Sequence, residues 1–452
     1  MLVSPARAAA FEILLRVERE QSYASELLHS SRFATLSAND HGLATELVMG
    51  VLRWRSLLDQ RLAGASSQKL ERLDPEVLIA LRLGVYQLHF LSRIPARAAI
   101  FESVELVKAA RKRSAAPFVN AVLRKVGSMG PEIIFDSIRD AGNPKKLAES
   151  SAHPDWLVAR WVERYGLDAA RQICVHDQSV PETTIHVRDG HAAEELARAG
   201  VQLSPGLLAS SARRVISGDV TKTPAHRAGH VSIQDEASQL VALLVGRGER
   251  ILDCCAAPGS KTSLLEQRNP GALIVASDLH PHRARLLRDL VRRPNVHVIV
   301  ADARALPLCC EFDRILADVP CSGTGTLARN PEIKWRLKPA DLDDLQARQI
   351  AILRSALAQL APGGRLVYST CSLEREENEV VVEAVLGNEP EFKLIDCRTE
   401  LEQLQRAGEL AWNDLDSLLA GPYLRTLPGT HPCDGFFAAI IERDRFRERS
   451  SS

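Results

Sequence analysis

From Arg250 onward, short apolar runs that end in an acid or lead to a cysteine alternate with longer stretches at helical spacing. Runs at 251–253, 273–278, 296–302, 312–318 and 365–369 read as strands. Leu264, residues 284–291 and residues 342–360 lie in the helices between them. That order is met by a parallel sheet covered by helices on both faces, each crossover turning the same way. Runs at 392–396 and 436–441 raise the expected sheet to seven strands. The last residues of each strand then fall at one edge, where open α/β sheets hold their ligands.

Two of those strand ends carry cysteine. One reads Ile315-Leu-Ala-Asp318-Val-Pro-Cys321-Ser-Gly323-Thr-Gly325, the other Gly363-Gly-Arg-Leu-Val-Tyr-Ser369-Thr-Cys371-Ser372. Two cysteines and an acid at adjacent strand ends suggest thiolate chemistry on something held between them. The first strand leads into Asp253-Cys-Cys-Ala-Ala-Pro258-Gly259-Ser-Lys261-Thr. This occupies the nucleotide-binding position but is neither G-x-G-x-x-G nor a P-loop, so a phosphate cradle is not encoded. Asp278 ends the second strand, where an acid accepts from ribose hydroxyls, and Asp302 ends the third, within reach of an adenine amino group. A phosphate-free adenosyl ligand, S-adenosyl-L-methionine, fits this set.

The preceding chain differs. Residues 1–140 carry only helical stripes: Leu43, Leu47, Val48, Val51, Leu52 and Leu58; Val77, Leu81, Val85 and Leu88; Phe118, Val119, Val122, Leu123 and Val126. Residues 141–232 read as a small α+β module, 233–445 as the Rossmann-like domain, and 446–452 as a disordered tail. At 452 residues several domains are expected. Lys+Arg and Asp+Glu both number 57, so nucleic-acid binding would need a local patch. Arg53, Arg55, Lys108, Arg111, Lys112, Arg113, Arg124 and Lys125 offer either such a patch or a solvated face. Nine cysteines, no signal-peptide pattern and no spanning apolar stretch point to free thiols in the cytoplasm, away from any membrane.

The motifs Leu252-Asp-Cys-Cys-Ala-Ala-Pro-Gly-Ser-Lys261, Asp318-Val-Pro-Cys321-Ser-Gly323 and Ser369-Thr-Cys371-Ser372 resemble those of RNA cytosine-5 methyltransferases. Asp40-His-Gly-Leu-Ala-Thr-Glu-Leu-Val-Met-Gly-Val-Leu-Arg-Trp-Arg55 and Phe118-Val-Asn-Ala-Val-Leu-Arg124 look like a NusB-type RNA-binding domain. Together they resemble the Sun (Fmu) branch of 16S ribosomal RNA cytosine-C5 methyltransferases. The resemblance implies Cys371 as nucleophile on C6 of the base, Cys321 for release and Asp318 against the cytosine ring. It places the cofactor on Cys255, Ala256, Ala257, Pro258, Gly259, Ser260, Lys261, Asp278, Arg283, Asp302 and Asp318. The expected substrate is 16S ribosomal RNA, protein-free or early in assembly; no protein partner is indicated. Ser260 stands where the family loop has a second glycine, and a serine N-cap would preserve that turn. Alternatives are a transfer-RNA or DNA cytosine methyltransferase, or a non-catalytic assembly or antitermination factor.

The other candidates read as structural. Cys174, Cys254, Cys309, Cys310 and Cys397 are expected as small buried hydrophobes. The Cys254-Cys255 and Cys309-Cys310 pairs lack metal-ligand spacing, so no metal is expected. His153 and His431, each before a proline, read as surface turn residues. Trp335 beside Lys334 reads either as half-buried core or as an RNA-stacking residue.

Overall fold

The computed structural model describes residues 3–20, 22–130, 134–387 and 389–445. They form two compact units. One takes the described residues up to Val180 together with Leu327–Arg336; the other takes Pro181–Thr326 and the described residues from Leu337 onward. The tail expected at 446–452 lies outside the described residues.

The first unit is all helical. The helix Ala38–Arg53 is capped by the Ser37 side chain, which accepts from the Asp40 backbone N–H, and it buries Ala44, Leu47, Val48 and Val51 along one stripe. Pro75 opens the helix Pro75–Phe90, and Ala116–Gly127 buries Val119, Val122, Leu123 and Val126 at the same spacing. The helix Asp155–Asp177 is kinked at Gly166 (φ 83°). The 141–232 segment is shared between the units: the helices Pro144–Ser151 and Asp155–Asp177 belong to the first.

The ten residues Leu327–Arg336 finish this helical core. The last carbonyls of a helix have no partner within it. At the end of Ala38–Arg53 they are met by Lys334 Nζ, which donates to the Arg53 oxygen at 2.9 Å, and Trp335 Nε1, which donates to the Leu52 oxygen at 2.6 Å. Arg336 donates to the Val17 and Ser22 oxygens, and Glu332 accepts from the Ala24 N–H at 2.8 Å. Burial pushes the Lys334 ammonium down to about 7 and the Cys174 thiol up to about 12. His153 is no surface turn residue: it is buried, its Nε2 lies 3.3 Å from Asp177, and desolvation holds it well below its ordinary value. Trp335 and Lys334 are structural, since their polar atoms are spent on the helix end. Arg53 is likewise buried and donates to the Ala328 oxygen, so it cannot face RNA.

The second unit holds two sheets. The smaller contains β1 (Thr184–Val187), β2 (Gln202–Pro205), β3 (Ala212–Ser217) and β4 (Val231–Ile233), antiparallel in the order β2-β3-β1-β4, with the helix Gly190–Arg198 packed on them. The larger contains β5 (Arg250–Asp253), β6 (Leu273–Asp278), β7 (Val296–Val300), β8 (Phe312–Asp318), β9 (Leu360–Thr370), β10 (Phe392–Ile395), β11 (Leu419–Ala420), β12 (Tyr423–Thr426) and β13 (Phe436–Arg443). Its order is β11-β12-β13-β9-β8-β5-β6-β7, with β10 also paired to β13. Strands β5 to β9 run parallel, and β13 runs antiparallel to β9.

The expected sheet of seven is thus a sheet of nine. The extra pair, β11 and β12, is too short to show alternation and is joined by a Gly421-Pro422 turn. Apolar clusters on both faces, around Leu240, Ile251 and Leu316 and around Leu252, Ile315 and Tyr368, keep the sheet buried. His431 is buried here, accepting from the Leu427 N–H, and is not a surface residue. Cys309 is exposed rather than buried, because it lies in an irregular loop before β8. No described helix is long and apolar enough to cross a membrane.

Candidate active site

The strand order reverses at β5: β6 and β7 lie on one side, β8 and β9 on the other. Such a switch point opens a crevice beyond the strand ends. The loops that meet there are those after β5, β8 and β9, which carry 254–261, Asp318–Cys321 and Cys371.

The first loop turns on Gly259, whose φ of 118° is a backbone conformation that L side chains rarely adopt. A Cβ there would also meet Leu287 Cδ1 at 2.6 Å. Gly259, not Ser260, caps the helix Ser260–Arg268; Ser260 is its first residue and its side chain makes no cap. Lys261 projects back to Asp318, with Nζ 2.7 Å from Oδ2 and 5.2 Å from the Phe436 ring centre. Burial alone would depress the Lys261 ammonium, but Asp318 outweighs it and the pKa rises. Ser369 Oγ donates to the other Asp318 oxygen at 2.7 Å.

The two thiols meet as neighbours across β8 and β9, whose register pairs Asp318 with Ser369. Cys321 Sγ lies 3.4 Å from Cys371 Sγ. Cys321 is pushed well above the ordinary thiol range, first by its hydrogen bond to Cys371 and then by burial.

On the far side of β5, Asp278 is buried. One oxygen accepts from the His280 N–H at 2.9 Å and the other lies 3.7 Å from Arg283. Arg283 also donates to the Ala257 oxygen at 3.1 Å, so it ties the first loop to Asp278. The Ala256 N–H donates to the Ser277 oxygen, and Ser277 Oγ to the Cys254 oxygen, which fixes 254–257 against β6. Asp302 stands just beyond the end of β7. Its carboxylate accepts from the Arg304 backbone and guanidinium, and is held below its ordinary range by those bonds.

The structure thus gathers Lys261, Asp318, Cys321 and Cys371 into one cluster and 254–257, Asp278 and Arg283 into another. Asp302 carries its own cation. Sequence reading missed three groups. Asp253 was read only as a strand end, yet it is buried and pushed up to about 7 by desolvation, against a 2.7 Å hydrogen bond from Thr262; its Oδ1 has no hydrogen-bond partner. Ser369 was visible only as a motif letter. Glu377 lies six residues beyond Cys371 with no pattern to mark it. Among the described residues, no group of three or more His, Cys, Asp or Glu side chains is arranged to hold a metal ion.

Comparison with known proteins agrees with this layout. The family described as 16S rRNA methyltransferase RsmB/F matches residues 240–442, and the NusB family matches residues 4–128. A probable ribosomal RNA small subunit methyltransferase B of Bacillus subtilis (strain 168) is 37% identical over 97% of this chain and 98% of its own length. The ribosomal RNA small subunit methyltransferase B of Vibrio cholerae is 32% identical over 97% of each chain. The crystal structure of PH0851 superposes with a TM-score of 0.78 at 23% identity, covering 98% of this chain and all of that one, which shows a shared fold. With a NusB domain, a methyltransferase domain and full-length relatives above 30% identity, the chain belongs to the ribosomal RNA small subunit methyltransferase B family.

Proposed function

We propose that the protein transfers a methyl group from S-adenosyl-L-methionine to C5 of one cytidine in 16S ribosomal RNA, through a covalent bond between Cys371 and C6. The observation that carries this reading is the 3.4 Å approach of Cys321 and Cys371 beside the Lys261–Asp318 pair. A single nucleophile needs no second thiol; addition followed by elimination has work for both.

The residues after β5 and β6 suit the cofactor. Asp253 offers a buried oxygen with no partner, and Gly259 keeps the first turn free of side-chain bulk. Asp278, aligned by Arg283, would take ribose hydroxyls, with 255–261, Asp302 and Asp318 completing the cradle. When bound, the cofactor supplies an electrophilic methyl group on a sulfonium.

C5 of cytosine is a poor nucleophile. Attack of the Cys371 thiolate on C6 breaks the C5–C6 double bond and makes C5 enamine-like. The Lys261–Asp318 pair faces the charge this develops on the ring. After C5 is methylated its proton must leave. Cys371 is by then tied up as a thioether, and Cys321, whose sulfur lies 3.4 Å from it, is the thiol placed to take that proton. Cys321 gives up its proton to solvent and takes the C5 proton. The C5 electron pair re-forms the double bond and expels Cys371 as thiolate.

The test is transfer of labelled methyl from the cofactor to protein-free small-subunit RNA, followed by nuclease digestion and nucleoside analysis. Label in 5-methylcytidine is expected. Label in another nucleoside, or only in transfer RNA, overturns the reading.

For RNA binding, the suspected Arg111, Arg113 and Arg124 remain available, and Arg97 joins them. Arg55 is paired with Glu18, and Lys112 with Asp74. Arg97, Arg111, Arg113 and Arg124 are exposed and form no ion pair among the described residues. Arg97 and Arg124 line a groove of 430 Å³ that also holds Phe101, 42% exposed. Replacing these four arginines with alanine should weaken RNA binding and reduce the slope of log affinity against log salt by about 3, as measured by salt titration. An unchanged slope removes this face from the RNA interface.

A further inference from the structure

We infer that Glu377 is the positioning residue that fixes the two thiols at their working distance. The inference rests on the reading of Cys321 and Cys371 as partners in one reaction. Glu377 is fully buried. Its Oε1 accepts from the Ser322 backbone N–H at 2.8 Å and from Gln349 Nε2 at 2.9 Å. Its Oε2 accepts from the hydroxyls of both Ser322 and Ser372. Each serine directly follows one of the cysteines, so one carboxylate spans both thiol loops, one residue from each sulfur.

The surrounding bonds brace this bridge from both sides. Gln349 also donates to the Pro320 oxygen at 3.0 Å, just before Cys321. Tyr368 donates to the Glu377 backbone oxygen at 2.6 Å, and Asn378 Nδ2 to the Ser372 oxygen at 2.9 Å. No basic side chain pairs with Glu377 among the described residues. Burying a carboxylate among neutral donors is costly, and an apolar side chain of similar size would cost less if filling space were its only task. A carboxylate is acceptor-only, with room for about four donors. Four converge here, so both hydroxyl protons point inward and the two loops are drawn to one point. Its charge also helps keep the Cys321 thiol protonated.

The test uses the full chain and a geometric readout that is independent of methyl transfer. Phenylarsine oxide bridges two thiols only when they are close, forming two As–S bonds and releasing water. In a Cys309→Ser/Cys310→Ser background, which removes the adjacent thiol pair in the exposed loop before β8 and carries every variant below, the otherwise wild-type chain should bind one equivalent, released by a dithiol and not by a monothiol. Glu377→Ala should lose arsenical affinity at least about tenfold. Its kcat should fall about 100-fold with the KM for RNA and cofactor within about twofold, the pattern of misplaced reacting groups. Glu377→Gln, which keeps the shape and one acceptor oxygen, should restore arsenical binding. If Glu377→Ala does not fold, the Ser322→Ala/Ser372→Ala double variant carries the test, with the same loss expected. Wild-type arsenical affinity in Glu377→Ala or in the double variant overturns the inference. A wild-type protein that binds the arsenical but methylates no RNA refutes the proposed reaction while leaving the spacing role intact.

Discussion

Cys371→Ala should abolish methyl transfer and form no covalent complex with RNA, a loss of roughly 10⁴-fold or more, because the proposed reaction begins with its sulfur. Cys321→Ala should behave differently. In the proposed reaction the attack on C6 needs only Cys371, so the adduct should still form; without Cys321 the C5 proton should be removed slowly and the adduct should accumulate. Denaturing gels of each variant mixed with RNA and cofactor will read this directly, as a shifted band for Cys321→Ala and none for Cys371→Ala. The asymmetry follows from the two roles in the proposed reaction, attack by one sulfur and proton removal by the other, 3.4 Å apart. A stable adduct in Cys371→Ala and none in Cys321→Ala would reverse the two roles.

Gly325→Ala should disable the site without touching either thiol. The Gly325 N–H donates to the Cys371 carbonyl at 2.9 Å, and its own carbonyl accepts from the Gly435 N–H at 2.8 Å. A Cβ at 325 would sit 2.2 Å from the Gly435 oxygen and 2.8 Å from its Cα. Backbone cannot move aside as a side chain can, so the loop must shift and carry Cys321 with it. The expected cost is about 3 kcal/mol of stability by urea unfolding. Methyl transfer should fall about 100-fold, since a displacement near 1 Å has that effect on positioned groups. Gly42→Ala is the control: nothing lies within 4 Å of its Cβ, so the variant should be neutral or more stable by up to about 1 kcal/mol. Wild-type stability and rate in Gly325→Ala would mean that the β8 loop is not held at this crossing.

The strands that build the catalytic crevice were legible because burial on both faces leaves unbroken apolar runs, and because each run ends at a residue whose chemistry stands out. Cys321, Cys371 and Asp318 could be read as a group from sequence for that reason, and the structure brings them together. What could not be read was anything set by distant packing. Arg53 lies off the apolar stripe of its helix and looked free for RNA, yet the returning segment at 327–336 covers it. His153 looked like a turn residue because Pro154 follows it, yet Asp177 and Lys334 close over it. Glu377 sits in an acidic run, Glu374-Arg-Glu-Glu377, that reads as solvated surface. Its carboxylate is turned inward by Ser322, Gln349 and Ser372, of which Ser322 and Gln349 lie far off in the sequence. The pair β11 and β12 was missed because strands of two and four residues show no period.

The route of the chain between its two units has a consequence for how such a protein can be assembled or taken apart. The backbone passes from one unit to the other three times, at 180–181, 326–327 and 336–337. A fragment beginning at Pro181 would therefore still carry Leu327–Arg336, with Lys334, Trp335 and Glu332 stripped of the helix ends they complete. The reciprocal fragment, ending at Val180, would leave the Leu52 and Arg53 carbonyls without these donors. Neither half is a module that can be exchanged by a single crossover in the gene. A cut in the linker alone, with the peptide bonds at 326–327 and 336–337 intact, should leave the two pieces copurifying.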